Sequence, residues 1–119
     1  MKNSKLKTEY LKKYKSEFPQ ELEQILNEYE GFSGLIGESY ISIFTSNDLL
    51  KLNDEYEVEE NIKEFCIFAS NGGGKAFGFF YTNPFRIMEI PFIGMRETDC
   101  IEICSNKNEF FEKLEKGEV

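Results

Sequence analysis

Apolar residues fall into two rhythms along the chain, helical spacing toward both ends and nearly unbroken runs in the middle. Leu6, Tyr10, Leu11 and Tyr14 recur at helical spacing among lysines, which predicts a short amphipathic helix within a basic N-terminal segment, 1–18. Leu22, Ile25, Leu26 and Tyr29 stand at i, i+3, i+4 and i+7 and predict a second helix with one continuous apolar stripe. Pro19 opens it where a missing N–H is harmless, Glu21 and Glu23 sit near the positive end of its dipole, and Gly31 stops it. The stretch GFSGLIGE, with Gly31, Gly34 and Gly37, is expected to be a compact loop ahead of a strand over 40–44. Thr45 and Asp48 then have capping-box spacing, and Leu49, Leu50, Leu52 and Tyr56 give a short helix its apolar side, ending around 53–55.

The middle of the chain, FCIFASNGGGKAFGFF over 65–80, reads as a hairpin. Two apolar arms flank Asn71, Gly72, Gly73 and Gly74, and residues without a Cβ let the chain reverse through φ values that others resist. Strict alternation places Phe65, Ile67 and Ala69 on one face of the first arm with Cys66 and Phe68 on the other; on the second arm Phe77 and Phe79 oppose Ala76, Gly78 and Phe80. Neither arm has a polar face, so both belong in the middle of a sheet covered on both sides. Thr82, Asn83 and Pro84 mark a turn before a third strand over 85–90, and Pro91, which cannot donate to a ladder, requires that strand to stop there or to lie at an edge. Gly94 lies in a connection, Ile101 and Ile103 form a last short strand, and Asn106 with Glu109 caps a final helix anchored by Phe110, Phe111 and Leu114 and ended by Gly117. The expected architecture is α+β: one domain over 1–119, its central antiparallel sheet a meander around the 65–80 hairpin, with flanking helices.

Composition adds a boundary to this picture. Twelve Phe and six Tyr, with no Trp, supply ring surface for the core of a 119-residue chain. No apolar run has the length needed to cross a bilayer, and the polar N-terminus lacks a signal-type hydrophobic segment, so a cytoplasmic protein is expected. Three cysteines, an odd number, fit a reducing compartment better than a disulfide framework. The absence of His removes the commonest general base and most zinc ligand sets, which counts against an enzyme.

Charge changes the picture more. The net charge of −8 is unevenly placed, because residues 1–15 hold six Lys against Glu9 alone, whereas the remainder sets eight cations against twenty-one carboxylates. Such a body repels nucleic acid and anionic membrane and attracts basic surfaces, so a basic protein partner is one inference. An acidic surface that only keeps the chain soluble is the other.

Three clusters invite chemistry, each beside a plainer reading. Gly72, Gly73, Gly74 and Lys75 suggest a phosphate loop, yet Ala76 stands where a magnesium-binding hydroxyl is needed and the flanks read as strands, so a structural turn is favoured. Cys66, Cys100 and Cys104 contain no CxxC pair, and two thiols at the ends of an extended 100–104 segment would stand ~13 Å apart, which favours buried structural thiols over a metal site or nucleophile. Glu57, Glu59, Glu60 and Glu64 form a solvated acidic loop or, with Tyr56 as an aromatic anchor, a partner-binding patch; no glycine-punctuated loop of the calcium type accompanies them.

Taken in order, these pieces resemble the SUKH superfamily, which includes the Smi/Knr-type regulators and many bacterial immunity proteins. The matching residues are Pro19, Glu21, Leu22 and Leu26 in PQELEQIL; Gly31 and Gly34 after Tyr29; and Leu49, Leu52, Asn53 and Tyr56 in LLKLNDEY. Phe65, Ala69, Gly72, Gly73 and Phe77 of the hairpin, Ile90 and Pro91 in IMEIPFIG, and Phe110 and Leu114 of the last helix continue the likeness. The resemblance implies a non-catalytic binding fold without a cofactor, typically encoded beside a toxin from which it protects its producer. Its mechanism would be occlusion of the toxin's active site or an adjacent surface, and an acidic inhibitor would suit a nuclease that must be basic to hold phosphates. The alternative implied by the same family is a Smi/Knr-like regulatory scaffold without a toxin partner.

Overall fold

Near-continuous apolar runs can be solvated on neither face, and 65–80 accordingly forms the two middle strands of the sheet. The structure, a computed structural model, describes residues 3–119; the first two residues of the basic N-terminal segment lie outside the described residues. In chain order the elements are helices α1 (Ser4–Tyr14) and α2 (Gln20–Tyr29), strands β1 (Ser33–Ile36) and β2 (Ser39–Ile43), and helices α3 (Leu49–Glu55) and α4 (Val58–Asn61). Strands β3 (Phe65–Ser70), β4 (Lys75–Phe80) and β5 (Ile87–Pro91), a 3₁₀ turn over Glu97–Asp99, strand β6 (Ile101–Cys104) and helix α5 (Lys107–Lys116) complete the chain. The six strands lie side by side in sequence order and every neighbouring pair is antiparallel, so the sheet is a meander with helices against it, the expected α+β architecture. The Cα radius of gyration, 13.2 Å, is that of a compact domain of this length.

The sheet has two unequal coverings. On its first face Leu6, Tyr10 and Tyr14 of α1, Leu22, Ile25 and Leu26 of α2, and Phe110 and Leu114 of α5 pack against Ile41, Ile43, Cys66, Phe68, Phe77 and Phe79. Leu11 is 55 % exposed, so the α1 stripe is narrower than its spacing suggests and consists of i, i+4 and i+8 alone. On the second face a thinner layer, Val58 and Ile62 around α4 with Met95 of the β5–β6 connection, covers Phe65, Ile67, Ala76 and Ile90. This layer reaches β3, β4 and β5 but leaves the second face of β1 and β2 uncovered, where Leu35 is 68 % and Tyr40 45 % exposed.

Four local details depart from the sequence reading. The β3–β4 ladder pairs Ile67 with Gly78 and then Ala69 with Phe77, so Phe68 is an extra residue at a bulge and Ala69 joins Cys66 and Phe68 on the first face. The supposed compact loop GFSGLIGE contains strand β1, paired to β2 from Ser33↔Ser42 to Ile36↔Ser39; Gly31 and Gly37, at φ +78° and +58°, make the turns on either side of it. The third strand of the meander begins at Ile87, two residues later than expected. Carboxylates hid a fourth feature, because the acidic run contains the one-turn helix α4.

The chain punctuation acts as the residue types require. β5 lies between β4 and β6 and ends at Pro91, so the proline stops the strand and does not mark an edge. Pro19 precedes α2, with its carbonyl accepting from Glu23 N–H at 3.1 Å. Asn106 Oδ1 accepts from Glu109 N–H at 2.8 Å while Glu109 Oε1 accepts from Ser105 N–H, and beyond α5 Gly117 adopts φ +72° as Glu118 N–H reaches back to the Lys113 carbonyl. In the central turn Asn71 Oδ1 accepts from the N–H groups of Gly73 and Lys75, and a Cβ on Gly72 would lie 2.7 Å from the Tyr40 ring, so the glycine there is required by the close approach as well as by φ.

Candidate functional site

The candidate site grows out of the layer over 48–64, and its position is set by Asn53. This side chain is buried, accepts from Ile67 N–H at 2.9 Å, and donates to the Ile67 carbonyl at 2.9 Å and the Leu49 carbonyl at 2.8 Å. Strand β2 pairs with β3 only at Ser42↔Ser70 and Ile43↔Ala69, so Asn53 supplies to β3 the two hydrogen bonds a neighbouring strand would otherwise make. Helix α3 is thereby tied to the sheet in place of a longer β2.

The residues after α3 present the acidic run. Val58 and Ile62, at i and i+4, are buried, which turns Glu57 and Glu60 outward. Glu57 and Glu64 bracket α4 in left-handed conformations, φ +52° and +65°, which side chains adopt sparingly outside tight turns. Glu59 is half-buried and points inward, accepting from the Tyr81 hydroxyl and, at 3.3 Å, from Glu64 N–H. Burial and the Glu59 carboxylate together push the Tyr81 phenol well above its ordinary range. Glu64 accepts from Thr82 Oγ1 at 3.0 Å and its carbonyl accepts from Tyr81 N–H. Tyr56 is 45 % exposed and packs its ring 4.6 Å from that of Phe92.

The residues singled out in the sequence therefore divide. Tyr56, Glu57, Glu60 and Glu64 are exposed, while Glu59 is committed to an internal contact. Over 48–64 seven carboxylates face two lysines, and Lys13 of α1 reaches across to pair with Asp54. Glycines 31, 34, 72, 73 and 74 serve the two hairpins, and Lys75 begins a strand, not a helix, so the glycine run has the context of a turn.

A groove adjoins the acidic layer. Ser33, Ser42 and Ser70 occupy one register across β1, β2 and β3, and this row of small side chains leaves a trough walled by Phe44, Tyr56 and Phe92, about 350 Å³ in volume. The sequence reading missed it, since the serines lie far apart in the chain and only the pairing aligns them. Of the thiols, burial pushes Cys66 up to about 12 and Cys100 and Cys104 to about 11, far from an activated thiolate. Among the described residues no group of three or more His, Cys, Asp or Glu side chains is placed to hold a metal ion, and no helix is long and apolar enough to cross a membrane. No family model and no curated protein matches the chain.

Proposed function

We propose that this chain is a SUKH-type immunity protein, which binds a cognate bacterial toxin domain in the cytoplasm of its producer and holds it inactive by occlusion, with no cofactor and no catalysis of its own. The observation that carries the reading is the run over 48–64, where Tyr56, Glu57, Glu60 and Glu64 are each exposed. A basic partner would be drawn to this side at long range by the carboxylates. At short range Tyr56, already held against Phe92, offers a large ring at little entropic loss. A toxin that handles phosphates must carry such a basic surface, and covering it blocks its substrate. The order of the motifs along the chain and the α+β meander are consistent with the same assignment.

Co-expression tests the proposal. The toxic C-terminal domain encoded beside this gene is expected to arrest growth when expressed alone, and this chain to restore it. The triple variant E57K/E60K/E64K, whose positions are exposed and whose fold is checked by circular dichroism, is expected to restore growth poorly. Full rescue by the triple variant would take the acidic run out of the mechanism. Absence of any toxic neighbour, with binding to several cellular proteins instead, would favour the Smi/Knr-like scaffold.

A further inference from the structure

We infer that the serine-floored trough beside α3 is a socket for one aromatic or large aliphatic side chain, carried on a lysine- or arginine-rich segment of the protein partner. The inference rests on the immunity reading for the partner's charge and extends it by naming where and how that partner docks. Ser33, Ser42 and Ser70 align across three strands, and the Oγ atoms of Ser33 and Ser42 share a hydrogen bond of 2.7 Å, so the floor is made of small side chains, two of whose hydroxyls already satisfy one another. Its walls are rings: Phe44 and Phe92 are half-buried and Tyr56 is half-exposed. Its volume is roughly tenfold the ~30 Å³ share of one water molecule, room for a bulky side chain. Beyond the floor, the exposed Leu35 and Tyr40 are Cα partners on the same uncovered face, so the apolar surface continues past the trough.

Charge decides the occupant. Asp48 lines the trough, and Glu55 and Glu57 flank Tyr56 in sequence, all three exposed. A second copy of this chain would bring its own charge of −8 against that rim, and a nucleic acid would be repelled in the same way. A cationic protein segment with a hydrophobic anchor satisfies both the rim and the floor. The socket is also fixed in place, since Asn53 ties α3 to β3 and the Tyr40 ring lies over Gly72.

Titration of the isotopically labelled chain with short synthetic peptides, followed by amide chemical shifts, tests this. A peptide with one Phe flanked by lysines is expected to shift Ser42, Tyr56, Ser70 and Phe92 saturably. The same peptide with Gly in place of Phe, or Glu in place of the lysines, should bind at least about tenfold more weakly. Ser42→Trp, which fills the trough, and Tyr56→Ala, at an exposed position, should each weaken the Phe peptide about tenfold. Shifts confined to the α2–α5 face, equal binding of the Gly peptide, or no saturable binding would overturn the inference. Failure here with growth rescue intact would sink the socket and leave the immunity reading standing; binding here without rescue would do the reverse.

Discussion

Asn53 is the residue that ties α3 to β3. It is 3 % exposed, and it spends three hydrogen bonds on backbone groups, two of them on a strand that has lost its neighbour. Asn53→Ala leaves Ile67 N–H and C=O buried without those partners, which is expected to lower stability by about 2–4 kcal/mol. Urea unfolding should show a lower midpoint with an unchanged slope, and a loss below about 1 kcal/mol would mean that water replaces the side chain. The sequence marked Asn53 within LLKLNDEY but could not give its reason, because its partner is the backbone of Ile67, and a backbone group carries no sequence signal. The serine row was illegible for a related cause: residues 33, 42 and 70 acquire a common register only through strand pairing. Tyr56, which the helical spacing put on the apolar side of α3, lies just past the end of α3 and is 45 % exposed.

Among the elements, α1 is held by buried tyrosines. Tyr10 and Tyr14 insert into the first-face core, with the Tyr14 ring 4.5 Å from that of Tyr81. Burial, reinforced by the neighbouring Cys66, raises both phenols above their ordinary value of 10.0, and burial raises the Cys66 thiol from 9.0 to about 12. All three folded values exceed the unfolded ones, so the folded state holds protons that the unfolded chain releases in alkali. Stability should therefore be level near neutrality and fall as pH rises through about 9 and onward to about 12. Urea midpoints measured across this range check the sign, and a midpoint that stays constant or rises with pH would contradict the packing of α1 on β3. Helix stripes, the capping residue Asn106 and the central hairpin were readable because each is a local pattern of a few residues, whereas Thr45 closes the turn before α3 and the residue at the cap is Asp48, without a side-chain cap. The bulge at Phe68 was not, since strict alternation is the default for an apolar run and nothing local announces the extra residue. Strand β1 was disguised by its glycines, and α4 by having only the Val58–Ile62 pair to declare it.

At the scale of the whole molecule the two faces of the sheet divide the work. Helices α1, α2 and α5, with Leu49 of α3, bury the first face, while the second carries a thin layer around α4 and an uncovered end over β1 and β2; most carboxylates of 48–64 are turned to water. The basic N-terminal helix does not offset this side broadly, since Lys7 pairs with Glu23 of α2 and Lys13 with a single carboxylate, Asp54. On the proposed reading, such a molecule would approach a positive surface by long-range attraction and then seat itself by ring contacts. If the proposed immunity role holds, the most direct measurement is the rate of association with the cognate basic toxin domain as a function of salt. From ~10 to ~200 mM the association rate is expected to fall at least about tenfold while dissociation changes much less. An association rate indifferent to salt would contradict the claim that this protein works through its acidic face.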